Sequence, residues 1–212
     1  GTPPAPVVKA SLTRSAGSGI SPCSKVRIQR PSSALAAFLH SMAMDLTVTE
    51  YRTYDDLYEY VYGSAAVIGL QMVPLLEPTD PEAFDRATDL GVSFQLANFV
   101  RDVSEDLDRG RVYLPLDELA SFGVTRADLE TRVMTPQLKA ALAFQIARVR
   151  DLEERSLPGV EMLHPSSRDC IEAARILYCG IVDEVERNDY DVFSKRAKVP
   201  TRRRLAVAAP AL

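Results

Sequence analysis

Residues 91–115 read GVSFQLANFVRDVSEDLDRGRVYLP, and the spacing within this stretch decides the fold. At about 100° per residue along a helix, Gln95, Asn98, Asp102, Glu105, Asp106 and Arg109 fall in one stripe roughly 100° wide. Val92, Leu96, Phe99, Val100, Val103 and Leu107 lie on one flank of that stripe, and Leu90, Phe94 and Ala97 on the other. A helix that is apolar on both sides of its polar face has to be buried on both sides, so the stripe is expected to line a cavity. Carboxylates four residues apart on one face repel each other, weakly in water and strongly once desolvated. A divalent cation removes that penalty. Asp102 and Asp106, with the Asn98 amide, form an all-oxygen donor set, which suits Mg²⁺ better than zinc or copper.

Mg²⁺ usually bridges a few carboxylates to phosphate oxygens, so the chemistry such a stripe suits is ionisation of a diphosphate. The competing reading is a solvated acidic face with Arg101 and Arg109 as surface partners. Asp85 and Asp89 repeat the same spacing on the far side of the helix and are assigned to solvent. Asp183, Glu184 and Glu186, near Arg175, Arg187 and Lys195, read as surface charges too.

Working outward, helical signals dominate from Ser33 onward. A short helix is expected from Ser33 to Leu46. A longer one begins at Thr53, whose hydroxyl can cap it while Asp55 and Asp56 favour its first turn, and runs to about Leu76. The helix of the decisive stretch is expected from about Asp80 to Asp108, with Gly110 as its stop. Thr125 with Asp128 reads as another start, followed by helices near 136–156 and 165–190. No strand-like alternation persists beyond a few residues, so the fold class is all-α. Residues 1–33 are rich in Ser, Pro and Gly and hold no Asp or Glu; they are set apart as an irregular leader to a helical domain at 34–205.

Bulk properties narrow the function. The 212 residues suit one domain, and 46% hydrophobic with 25% charged is ordinary soluble composition. A net charge of −4 argues against a nucleic-acid partner, which needs a cationic face. Three cysteines without a C-x-x-C pair fit a reducing compartment, here read as cytoplasmic. With two histidines, His40 and His164, and no partner pattern around either, a hydrolase triad or zinc site has nothing to be built from. The uncharged run Tyr60–Leu76 is 17 residues long and interrupted by Gly, Ser, Gln and Pro; it reads as a buried bundle helix, not a membrane span. The basic run Lys195–Arg204 (KRAKVPTRRR) reads as a solvated tail, with contact to an anionic membrane surface as the alternative.

The run QLANFVRDVSEDLDRGRVYLPLDEL closely resembles the second aspartate-rich motif of phytoene and squalene synthases. YRTYDDLYEYVYGSAAVIGLQMVPLL and ARILYCGIVDEVERNDYDVFSKRAKVP resemble the family's preceding and closing helices, so the likeness spans about Phe38 to Leu205. The resemblance implies an isoprenoid synthase type helical bundle around a central cavity. It implies metal-binding roles for Asn98, Asp102 and Asp106, with Glu105 beside them, and a diphosphate- or cleft-contacting role for Gln95 and Arg101. Tyr60 and Tyr178 match cavity tyrosines, though both also suit a core, and Tyr113 falls in a loop covering the site. The small residues Gly63, Ser64, Ala65, Ala66 and Gly69 suit a prenyl-tail tunnel or, equally, close helix packing; Ala66 and Val67 depart from the family's pattern.

By resemblance, the expected reaction joins two geranylgeranyl diphosphates head to head, through a cyclopropyl-carbinyl diphosphate, to phytoene. Mg²⁺, with Mn²⁺ as a substitute, is the implied cofactor. The alternatives are a squalene- or hydroxysqualene-forming relative acting on farnesyl diphosphate, where NADPH would enter, and a non-catalytic helical partner protein. One departure is large. The family carries a first aspartate-rich motif upstream, whereas no acidic residue precedes Asp45. These 212 residues alone are therefore expected to meet the metal from one wall and to turn over little.

Overall fold

The computed structural model describes residues 31–208, and the descriptions below refer to these. Most of the expected leader lies outside them; its last positions are helical, because the first helix, α1, spans Pro31–Met44. Then follow α2 (Tyr54–Val61), a π-helical turn (Tyr62–Ala66), α3 (Val67–Met72) and a 3₁₀ turn (Val73–Leu76). The central helix α4 (Ala83–Arg101) leads into α5 (Val103–Asp108), α6 (Leu116–Ser121) and α7 (Arg126–Glu130). The remaining helices are α8 (Pro136–Ser156), α9 (Pro158–Glu161), α10 (Pro165–Arg187) and α11 (Thr201–Ala208). Among the described residues there is no strand, only an isolated bridge between Glu50 and Val112, so the all-α expectation stands.

Local chemistry explains where the helices begin. Thr53 accepts a hydrogen bond from the backbone N–H of Asp56, whose carboxylate accepts one from the Thr53 N–H, a reciprocal capping box. Thr125 and Asp128 repeat the device at α7, and the Thr135 hydroxyl caps α8 ahead of Pro136. Two long helices expected from spacing are interrupted. Thr53–Leu76 is broken by the π turn, which widens the backbone over Tyr62–Ala66, and Pro74 tightens its end into a 3₁₀ turn. The helix through Asp108 breaks at Asp102, whose backbone (φ −99°, ψ 13°) is not helical.

Helix α4 packs against α8, α10, α3 and the π turn, and so sits at the centre. Val92, Leu96, Phe99 and Val100 of its one flank join Leu138, Leu142, Ile146 and Val149 of α8 in the main core. Val73, Ala83 and Leu163 centre a separate, smaller cluster at the other end of α4. The π turn approaches α1 closely: a Cβ on Gly63 would lie 2.2 Å from the Ala37 carbonyl oxygen and 2.1 Å from Ser41 Oγ. No helix of the described residues is long and apolar enough to cross a membrane; of the run Tyr60–Leu76, Tyr60, Val61, Ala66, Val67, Leu70 and Val73 are buried in the bundle, whereas Ile68, Met72 and Leu75 are exposed.

Candidate functional site

Two cavities meet beside α4. The first, about 400 Å³, runs along the second apolar flank of α4, past Leu90 and Phe94, and is faced by Ile68 and Met72 of α3 and by Leu163. Gln95 and Asn98 stand at its polar end. The second, about 390 Å³, is lined by four cations, Arg101, Arg196, Lys198 and Arg204, with Leu177 and Ile181 of α10 behind them. Tyr178 borders both. Its exposed ring stacks on Phe94 with centroids 4.6 Å apart, so an aromatic pair marks the junction of the apolar and cationic spaces.

The break at Asp102 sorts the carboxylates. Arg101 grips Asp102 through two hydrogen bonds of 2.7 and 2.5 Å, and Arg196 adds two more of 2.8 and 3.0 Å. Burial pushes Asp102 up, but the hydrogen bonds from Arg101 and Arg196 outweigh it and hold the carboxyl below the usual range. Asp106 is buried (8% exposed) and has a weaker partner, Arg109 at 3.5 Å. Desolvation, reinforced by the neighbouring Asp102 charge, raises Asp106 to about 6. Glu105 lies 3.4 Å from Arg196. Asn98 Oδ1 is buried with no hydrogen-bond partner, as is Ser64 Oγ farther along the apolar cavity.

These residues fit a hard divalent cation. Their donors are all oxygens, the Asn98 oxygen is unpaired, and the buried Asp106 carboxyl lacks enough positive charge to ionise at its ordinary pKa. Among the described residues no group of three or more His, Cys, Asp or Glu side chains is placed to hold a metal by itself. An ion here would complete its shell with oxygens from a ligand, as Mg²⁺ commonly does.

The tyrosines separate. Tyr178 borders the cavities, whereas Tyr60 and Tyr113 belong to an aromatic cluster in the main core with Tyr51 and Phe99; Phe99 and Tyr113 stack at 4.2 Å. Arg111 holds that cluster in place, donating to Asp45 Oδ1 (2.6 Å), to the Asp45 carbonyl (2.6 Å) and to the Tyr113 hydroxyl (2.9 Å). Tyr60 donates to Asp45 Oδ2 at 3.3 Å. Burial raises the Tyr60 phenol well above its ordinary range. Of the small residues, Ser64, Ala65 and Gly69 line the apolar cavity, whereas Gly63, Ala66 and Val67 are packed inside the bundle.

Several surface assignments need correction. The run Lys195–Arg204 is solvated only in part: Lys195, Arg196, Lys198, Arg202 and Arg204 are exposed, but Ala197 and Val199 are buried, Arg196 reaches the site, and α11 packs on α10 with Arg203 paired to Asp183 at 3.1 Å. A charge run concealed an alternation of buried Ala197 and Val199 with Arg196 and Lys198, the signal that could have revealed it. Asp89 is not free in solvent but pairs with Arg155 at 2.8 Å, and burial raises its pKa. Glu184 is buried beside Arg187. Asp45 and Arg111, 66 positions apart, had no local signal that would pair them.

Comparison with known proteins follows this geometry. A family model described as squalene/phytoene synthase matches residues 23–203. The 15-cis-phytoene synthase of Synechococcus elongatus is 39% identical over 179 residues, covering 79% of this chain and 58% of that protein. Phytoene synthase of Arthrospira platensis is 39% identical over 171 residues, covering 74% and 55%. The chloroplastic phytoene synthase of Narcissus pseudonarcissus is 40% identical over 175 residues, covering 79% and 41%. The chain thus spans about half the length of the curated relatives it matches. A dehydrosqualene synthase crystal structure superposes with a TM-score of 0.78 at 27% identity, over 85% of this chain and 64% of that one. Squalene synthase of Alicyclobacillus acidocaldarius, at 22% identity and TM-score 0.73, covering 77% and 62%, shares the fold.

Proposed function

Because this chain belongs to the squalene/phytoene synthase family, we propose that it carries the diphosphate-ionising wall of a prenyltransferase that joins two geranylgeranyl diphosphates head to head in carotenoid biosynthesis. The observation that carries the reading is the meeting of a cationic cavity and an apolar one at Tyr178. An amphiphile with an anionic head and a greasy tail matches that pair of spaces.

In this reading Arg101, Arg196, Lys198 and Arg204 receive the diphosphate, as guanidinium groups do in bidentate fashion. Asn98, Asp102 and Asp106, with Glu105 beside them, would hold Mg²⁺, which supplies stabilisation of the negative charge that develops on the departing diphosphate. Arg196 and Arg101 would then exchange bonds to Asp102 for bonds to phosphate oxygens, freeing that carboxylate. Gln95 stands at the polar end of the tail channel. Leu90, Phe94 and Ile68 keep water from the allylic cation once its C–O bond has broken. Tyr60 and Tyr113 act from behind, fixing Phe99 and the loop after α5 through Arg111. The curated relatives named above favour the geranylgeranyl substrate over the farnesyl one, since they are phytoene synthases at 39–40% identity.

Equilibrium binding tests this. Inorganic diphosphate is expected to bind in the presence of Mg²⁺ and at least thirtyfold more weakly without it. Arg196→Gln and Asp106→Asn are each expected to weaken the Mg²⁺-dependent binding at least tenfold. Binding that ignores both substitutions would overturn the assignment and favour a helical partner protein that keeps the fold without the chemistry.

A further inference from the structure

Asp106 sits on α5, a helix of six residues that is cut from α4 at Asp102 and closed by Gly110, whose φ of 72° favours glycine. A helix that short is not stable by itself in water, so the place of its carboxylates is dictated by what grips it from outside. Arg132 grips the outer side, donating to Ser104 Oγ at 2.8 Å and to the Asp108 carboxylate. The other grip is Arg111. Its backbone N–H donates to the Asp106 carbonyl at 2.8 Å, while its guanidinium holds Asp45 Oδ1 and the Asp45 carbonyl, each at 2.6 Å. One residue thus joins the main chain of Asp106 to Asp45.

Asp45 is itself fixed to the bundle. It follows α1, its N–H donating to the Ser41 carbonyl at 3.3 Å, and the fully buried Ser41 hydroxyl donates to the Tyr60 carbonyl on α2 at 2.9 Å. The segment after Asp45 is also bonded to the segment after Arg111: Val112 N–H donates to the Thr49 carbonyl at 2.8 Å and Leu116 N–H to the Tyr51 carbonyl at 3.0 Å. Asp106, Arg111 and Tyr113 border one void of about 10 Å³, room for no more than about one water, so there is little slack behind the carboxylate. A half-exposed ion pair adds little to stability, but three bonds from one guanidinium, to Asp45 twice and to the Tyr113 hydroxyl, fix a direction.

Resting on the reading above, we propose that Asp45, acting through Arg111, is a positioning residue for Asp106 that sets how closely this carboxylate approaches a cation shared with Asn98 and Asp102. Closeness matters most to a small ion. Mg²⁺ demands near-octahedral oxygens at about 2.0–2.1 Å, whereas Ca²⁺ accepts six to eight of them at about 2.3–2.6 Å in flexible arrangements. Loosening the tie is therefore expected to cost Mg²⁺ more than Ca²⁺, a difference that a general loss of stability does not produce.

The test measures binding of inorganic diphosphate to the 212-residue chain across a series of Mg²⁺ or Ca²⁺ concentrations. Asp45→Asn is expected to raise the Mg²⁺ midpoint at least about tenfold and the Ca²⁺ midpoint no more than about threefold, leaving metal-free diphosphate binding within about twofold of the parent. Arg111→Lys keeps the charge but not the fork, and is the gentler change should the asparagine disturb folding. It is expected to raise the Mg²⁺ midpoint about threefold to tenfold and again to spare Ca²⁺. In an Asp106→Asn background, Asp45→Asn is expected to add less than about twofold, because the carboxylate it positions is gone. The positioning role is overturned if both midpoints move together, if neither moves, or if Asp45→Asn keeps its full effect without the Asp106 carboxylate. In each of these cases a parent whose binding depends on metal leaves the diphosphate reading standing. A parent that binds diphosphate equally well with and without metal overturns the metal assignment and the positioning role together.

Discussion

At the scale of single residues, the electrostatics of the candidate site are set by how unequally two neighbouring aspartates are served. Asp102 has two arginines and Asp106 one distant one, and the pKa values part accordingly, one below the ordinary range and the other raised to about 6. A carboxyl whose pKa rises on folding binds its proton more tightly in the folded state. Between about pH 4 and pH 6 the Asp106 contribution to stability therefore falls as pH rises, and it stays low above that window. Without metal, Asp106→Asn is expected to match the parent near pH 4 and to exceed it by about 3 kcal/mol at pH 7. Urea unfolding across that range checks it, and two parallel curves would show that the Asp106 charge carries no cost. The same inequality marks how far a sequence reading reaches. The spacing of Asn98, Asp102 and Asp106 placed all three on one face. The Arg196 bond to Asp102, 94 positions away, had no local trace.

Among the elements, start signals were legible because they are local. Thr53 with Asp56, and Thr125 with Asp128, act within four residues, and both form capping boxes. Thr53→Ala is expected to cost about 1 kcal/mol of stability, read from the thermal midpoint, since it leaves a first-turn N–H without its partner. The breaks were not legible. Asp102 has neither Pro nor Gly beside it, and the π turn at Tyr62–Ala66 has a sequence that ordinary helix also accepts. That turn nonetheless sets a hard packing constraint. Because a Cβ on Gly63 would fall 2.2 Å from the backbone oxygen of Ala37, α1 has to move away before any side chain fits. Gly63→Ala is expected to lose about 3 kcal/mol or more. Gly91→Ala, whose Cβ would sit 3.0 Å from the Ala65 oxygen, is expected to lose less. An order reversed between the two in denaturant unfolding would refute the contact.

For the whole molecule, the all-α class and the burial of α4 on both flanks were readable from a single periodicity, since hydrophobic spacing reports burial directly. The position of the closing segment was not, because Lys195–Arg204 looks solvated by composition while its small apolar residues are what hold it against the bundle. That segment supplies three of the four cations of the cationic cavity, so a ligand bound there would tie α10, α11 and α4 together. Diphosphate with Mg²⁺ at a hundredfold excess over its dissociation constant is expected to stabilise the fold by about 2.7 kcal/mol. For a chain of this size that is a rise of roughly 5–10 °C in Tm, absent when either component is omitted. A rise of equal size with sodium sulfate alone would point to a general salt effect instead.

Tyr178 is a party wall: the cationic and the apolar cavity share it, and in the proposed reading these would take the charged head and the hydrocarbon. Swelling or shaving that one ring alters the volume of both at once. Variants there are expected to trade headgroup tightness against chain preference in a linked way, so that neither can be retuned by evolution at this position without disturbing the other.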